Sequence, residues 1–204
     1  MNRFIRPLGE RPYKRIFILA TEGEKTEPQY FEGIFGNNEL VLKVTCLETK
    51  RGLSAPRHVL DRLVVYIKKA ELRKSDQAWL VVDRDHWKAS RISELFQWCN
   101  EENARIPEIV HNMALSVPCF ELWLLWHFEE AEVIRTSDEL KEALKRHLPE
   151  YDKKLSTSDL RKLASQIVRA KKFAVKARGD SPLFSPEKWG SNVDILVTEL
   201  QAAK

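Results

Sequence analysis

Two runs of the chain are apolar at almost every position: RIFILAT (15–21) and AWLVVD (78–83). Short runs without polar alternation are the pattern of strands buried on both faces, which is the habit of parallel sheets. Parallel strands need crossover connections, and the segments between these runs supply them. ELVLKVTCLE (39–48) and EIVHNMALSV (108–117) read as two further strands, the last stopped by Pro118. PQYFEGIF (28–35) starts a helix in whose first turn Pro28 is harmless. RHVLDRLVVYIKKAELRK (57–74) sets Val59, Leu60, Leu63, Val64, Ile67 and Leu72 at helical spacing, and RISELFQWCNEE (91–102) is amphipathic. Strands alternating with helices predict an α/β fold with a parallel sheet and right-handed crossovers.

From about residue 119 the character changes. CFELWLLWHF, SDELKEALKRHL, SDLRKLASQIVRAKKFAVKAR and SNVDILVTELQ all read as helices, with Ser137 and either Ser156 or Ser158 as N-caps, and 179–191 as a loop. The expected organisation is an N-terminal arm (1–14), an α/β core (15–118) and an all-helical C-terminal region (119–204) packed on that core.

A chain of 204 residues that is 43% hydrophobic and 31% charged is long enough to bury a core without disulfide staples. Cys46, Cys99 and Cys119 are far apart and form no CxxC, which argues against a disulfide framework or a zinc site and fits a cytoplasmic protein. The N-terminus lacks an apolar signal core, and FELWLLWHF is too short to span a bilayer and carries Glu121, so no membrane association is expected. The net charge of +4 is compatible with a polyanionic partner without requiring one.

In open parallel sheets, ligands bind at the carboxyl ends of strands. Acidic clusters fall at two such ends. Glu22, with Glu24 and Glu27 close behind, follows the first strand, and Asp83 and Asp85 close the third in VVDRDHW. On an extended chain, residues two apart face the same way, so Asp83 and Asp85 are expected to aim at one point with Arg84 turned aside. If Glu22 joins them, two such charges ~4 Å apart repel by about 4 kcal/mol at an effective dielectric near 20. Protonation, a basic partner or a divalent cation must relieve that. Oxygen ligands without clustered His or Cys favour Mg²⁺ or Mn²⁺. The competing reading of each acid is a helix cap or a salt-bridge partner.

TEGEKTEPQYFEG, VVDRDHW, SVPCFELWLLWHF and SNVDILV, occurring in that order, resemble the successive signatures of the RloB-like family, from about residue 15 to the C-terminus. That family is similar to the toprim fold of topoisomerases, primases and OLD-type nucleases. The resemblance implies a Rossmann-like toprim core in which Glu22 is the toprim glutamate and Asp83 and Asp85 the DxD pair. These acids would hold Mg²⁺ (or Mn²⁺). It further implies a nuclease effector of antiphage, abortive-infection defence, working with an AAA-type ATPase on tRNA, other RNA or DNA. The alternative is a non-catalytic subunit of such a complex. Trp87 stands where a further acid of the alternating series would be, which leaves the metal count open. The basic catalytic residue is not fixed by motif. Lys25, Arg84 and His86 are candidates by proximity, with Lys25 carried forward.

Glu121, inside an otherwise apolar helix, either faces the acidic site or pairs with a buried cation, because an unpaired buried carboxylate is costly. Arg161, Arg169, Lys172 and Lys176 are expected on one broad face of a single helix, where they either track a phosphate backbone or are simply solvated. Gly23 permits a close backbone approach or is a plain loop residue. Trp87 and Trp189 pack or stack on bases. His127 is expected as a polar residue at a helix end, and Asn192 as an N-cap or a site residue.

Overall fold

The computed structural model describes residues 15–36, 42–48, 55–131, 136–179 and 185–203. The expected arm, 1–14, lies outside them. The elements run β1 (Arg15–Thr21), α1 (Thr26–Phe35), β2 (Leu42–Leu47), α2 (Pro56–Ile67), β3 (Gln77–Asp83), α3 (Ala89–Arg105), β4 (Val110–Val117), α4 (Glu121–Leu125), α5 (Ser137–Lys145), α6 (Thr157–Ser165), α7 (Ile167–Arg178), β5 (Gly190–Ser191) and α8 (Val193–Ala202). They form a mixed α/β structure around one five-stranded sheet of order β2-β1-β3-β4-β5. The first four strands are mutually parallel, and β5 pairs antiparallel with β4.

The continuous apolar runs follow from two cores, one on each face of the sheet. Phe17 and Leu19 of β1, Trp79 and Val81 of β3 and Ala114 of β4 point into one core, shared with α1 and with α4 to α8. The alternate residues Ile18, Ala20, Ala78, Leu80, Val82, Met113 and Leu115 point into the other, shared with α2 and α3. The central residues of β1, β3 and β4 are therefore covered whichever way they face. The C-terminal helices build one of these two layers.

Several expectations need correction. The C-terminal region is not all-helical, because β5 adds a strand to the sheet. The basic stretch is not one helix. It breaks at Gln166 (φ −114°, ψ 10°), so that Leu163 of α6 and Ile167, Ala170 and Ala174 of α7 all reach the core. The helix expected over 57–74 ends at Ile67. Beyond it, the Asp76 carboxylate accepts the N–H groups of Arg73 (2.8 Å) and Ile16 (2.9 Å), which fixes a turn into β3 instead of more helix. The cap of α5 is Thr136, not Ser137. Its hydroxyl accepts the Glu139 N–H at 3.2 Å while the Glu139 carboxylate accepts the Thr136 N–H, a reciprocal capping box. Ser156 caps α6 in the same way with Asp159.

Candidate acidic site at the strand switch point

The chain passes from β1 outward to β2, then returns past β1 to lay down β3 on its other side. The connections leaving β1 and β3 diverge, and a crevice opens between them at the carboxyl ends of the strands. The register pairs Thr21 with Val81, and the Glu22 N–H donates to the Val81 carbonyl at 2.9 Å. This ladder bond sets Glu22 beside Asp83. One Glu22 carboxylate oxygen accepts the Asp83 N–H (3.0 Å), and the other accepts the Trp87 indole N–H (3.2 Å).

Glu27 enters from the first turn of α1 and Glu121 from the start of α4, and both are buried. Glu27 accepts the Gly23 N–H at 2.9 Å, and Glu121 accepts the Tyr151 hydroxyl at 3.1 Å. Glu22, Glu27, Asp83 and Glu121 all line one cavity of about 550 Å³. Among the described residues, no ion pair joins any of the four to Lys or Arg. Arg62 is close enough for Glu22 to favour its charge, and it donates to the Thr21 carbonyl.

The electrostatic consequence is mutual. Burial pushes the Asp83 carboxyl well above the usual range, and the charges of Glu27, Glu22 and Glu121 push it further, against the pull of the Phe120 N–H. Glu27 is raised to about 7, first by burial and then by Glu121 and Glu22, against the Gly23 N–H. Glu22 is also raised, chiefly by burial and secondarily by Asp85, while its hydrogen bonds to Asp83 and Trp87 oppose the shift. Crowded carboxylates holding protons near neutral pH are a recurring property of functional sites.

Asp85 stands apart from this group. The extended alternation that was to align it with Asp83 stops at the end of β3, and Asp85 has a left-handed backbone (φ 33°). Its side chain is exposed at the cavity rim, where one oxygen meets His86 Nδ1 at 3.0 Å and the other the Ser137 hydroxyl at 3.5 Å. Lys25 lies exposed on the rim at the N-cap of α1, and Lys141 and Lys153 join it there. The Arg84 guanidinium turns back to the Asp85 carbonyl (3.3 Å). Arg161 lies on α6 and Arg169, Lys172 and Lys176 on α7, and none of them lines the cavity. Arg169 donates to the Phe128 carbonyl at 3.0 Å, and Lys176 pairs with Glu130.

Among the described residues, no group of three or more His, Cys, Asp or Glu side chains is arranged to hold a metal ion. The chemistry of the donor set nevertheless fits a hard cation. It is all oxygen, it is anionic, and its members destabilise one another's charge. Mg²⁺ commonly takes one or two carboxylates and completes its shell with water and substrate oxygens, so a ready-made cage is not required.

Residues far apart in sequence complete the site. Tyr151 bridges Glu121 and Thr26, whose hydroxyl also donates to the Lys153 carbonyl at 3.1 Å. No local pattern marks Tyr151, Lys141 or Lys153. Glu27 had a visible signal in its spacing from Glu22. Gly23 is explained by close approach, since a Cβ there would lie 2.1 Å from a Glu27 carboxylate oxygen. Gly23→Ala therefore displaces Glu27 from its N–H, with an expected loss of about 1–2 kcal/mol in urea unfolding. His127 does follow the end of α4, just after its C-cap Trp126, but its surroundings are not solvent. It is fully buried between Tyr30 OH (3.1 Å) and the Trp123 carbonyl (2.9 Å), and burial lowers its pKa to about 4.

Fold and site together define an α/β protein with a recessed acidic crevice at the β1/β3 switch point. A family model described as RloB-like protein matches residues 17–200, and the chain belongs to the RloB-like family. No curated protein and no solved structure matches it. No described helix is long and apolar enough to cross a membrane, and the three cysteines are free thiols.

Proposed function

We propose that this protein is a Mg²⁺- or Mn²⁺-dependent nuclease of toprim type. It would serve as the cytoplasmic effector of an antiphage defence system together with an AAA-type ATPase, and act on RNA, tRNA among the candidates, or on DNA. The observation that carries the reading is the convergence of Glu22, Glu27, Asp83 and Glu121 on one cavity at the β1/β3 switch point, with the carboxyls of Asp83 and Glu27 raised first by burial and then by their acidic neighbours. Glu22 and Asp83, with Asp85 at the rim, are the residues to hold the cation. When bound, the cation supplies Lewis-acid stabilisation of charge on a phosphodiester. Glu27, at about 7, is poised to give or take a proton near neutral pH, and Glu121 is held for the same pocket by Tyr151. Lys25, Lys141 and Lys153 line the rim and draw a polyanion towards an otherwise repulsive floor. Arg161, Arg169, Lys172 and Lys176 offer a more distant phosphate-tracking surface.

The test is cleavage of tRNA, other RNA and DNA by purified protein with Mg²⁺ or Mn²⁺, with and without a co-encoded ATPase. Wild type should cut at least one substrate, and Glu22→Gln should cut none. Equal cleavage by Glu22→Gln would end the proposal. A second reading, a non-catalytic subunit, draws on the pairing of Asp85 with His86, which gives that carboxylate a partner other than a cation. Under that reading, Glu22→Gln stays as toxic as wild type in cells when the defence system is triggered.

A further inference from the structure

We propose that the acidic cavity takes nucleic acid as an unpaired strand, with a base stacked on the exposed face of His86. This rests on the nuclease reading for the identity of the ligand, but its evidence is separate. His86 lines the cavity, and its side chain is 70% exposed. Its ring lies against the Trp87 indole, with centroids 4.4 Å apart and planes 36° apart. The indole is tethered to Glu22 by its N–H at 3.2 Å, and the imidazole edge is tethered to Asp85 at 3.0 Å. One face of the imidazole is backed by an anchored aromatic ring. The other is open to solvent beside the acids. A pre-set flat ring next to a phosphate-directed site is what an unpaired base stacks on, largely regardless of its identity.

The walls of the cavity point the same way. The C-terminal half closes on both flanks. Ser137, opening α5, meets Asp85 at 3.5 Å on the β3 side, and Tyr151 and Lys153 are bonded to Thr26 on the β1 side at 3.3 Å and 3.1 Å. Between these contacts the floor is sunk, with Glu27 only 5% and Glu121 only 7% exposed, while Glu22 and Asp83 are half-buried on the wall above it. A duplex is a stiff rod with its bases stacked internally. It offers no face to His86, and it resists the bend needed to carry a phosphate below the rim. A single strand pays neither penalty, and Lys141 and Lys153 at the rim meet its phosphates on the way in.

The test uses the full chain carrying Asp83→Asn to silence cleavage, with Mg²⁺ at fixed salt. The probes are short oligonucleotides containing 2-aminopurine, as single-stranded RNA, single-stranded DNA and blunt duplexes of the same sequences. Stacking should quench the fluorophore, and single strands should bind at least about tenfold more tightly than duplexes. The two single-stranded arms show which sugar is preferred. Adding His86→Ala should abolish the quench and weaken single-strand binding roughly tenfold, whereas His86→Phe should retain both. His86 is exposed, so neither change threatens the fold. Duplex binding as tight as single-strand binding, or a quench indifferent to His86→Ala, overturns the inference. Quenched single-strand binding by a wild-type protein that cuts nothing would instead refute the nuclease reading and leave the strand preference standing.

Discussion

At pH 8 in the presence of a chelator, Asp83→Asn should melt several degrees higher than the wild-type protein, and with Mg²⁺ restored it should cut at least about a hundredfold more slowly. The two effects have one cause. Asp83 sits where burial and the charges of Glu27, Glu22 and Glu121 all disfavour its ionised form. Asparagine removes a charge from that group yet keeps an acceptor for the Phe120 N–H. Glu27 shows the sign of the effect, with burial as its largest cause and the charges of Glu121 and Glu22 adding to it. Its carboxyl moves from 4.5 to about 7 on folding. Between those values the folded state holds a proton that the unfolded chain has released. Stability therefore falls as pH rises through that window and stays low above it. The contribution of Glu27 alone is about 3 kcal/mol. Accordingly, the stability advantage of Asp83→Asn should shrink at pH 5, where Glu27 is largely protonated and no longer presents its charge to Asp83. Thermal melts at the two pH values check this, and an Asp83→Asn protein no more stable than wild type at pH 8 would deny that the acids repel one another.

Asn192→Leu should destabilise the fold by about 2–4 kcal/mol without touching the acidic cavity. β5 is only two residues long, pairing Gly190 and Ser191 with Val117 and Ser116. Asn192 prolongs the ladder after the chain has turned towards α8. Its backbone N–H donates to the Leu115 carbonyl (3.1 Å), its side-chain oxygen accepts the Leu115 N–H (2.6 Å), and its amide donates to the Met113 carbonyl (3.1 Å). The side chain thus acts as one more peptide group on the buried edge of β4 that β3 does not pair. Leucine fills the space but leaves a buried N–H and a buried C=O unsatisfied, and each such group costs roughly 1–3 kcal/mol. Urea unfolding should register the loss, and amide exchange at Leu115 should accelerate. Unchanged exchange there would show that something else covers that edge.

The sheet strands were the most legible part of the sequence. β1 and β3 are buried on both faces, so every residue is under the same constraint and the apolar run has sharp ends. Positions governed by distant partners were not legible. β5 is too short to leave a pattern. The break at Gln166 has no Gly or Pro to announce it, since it serves the core positions of Leu163 and Ile167. His127 stands at the end of α4 as expected, but Tyr30 and the Trp123 carbonyl hold it in the core, which no local pattern announces. In the site, Glu22 and Asp83 were visible because strand ends and acidic residues coincide there. Their meeting depended on a strand order that alternation alone does not dictate. Asp85 lines the same cavity but from its rim, because the alternation that aligned it with Asp83 was carried two residues past the end of β3. The walls built by Tyr151, Lys141 and Lys153 depended on a C-terminal half whose docking follows from apolar faces, not motifs.

The shared-cation claim is tested most directly by calorimetric titration of Mn²⁺ into wild-type protein near pH 7, in two buffers of different ionisation enthalpy. A cation entering beside Glu27, whose carboxyl is raised to about 7, must release part of the proton held there, so the apparent binding heat should change with the buffer. Both the binding and the proton release should vanish in the Glu22→Gln, Asp83→Asn double variant. Undiminished binding by that variant, or binding by wild type with the same heat in both buffers, would contradict a metal centre at the switch point.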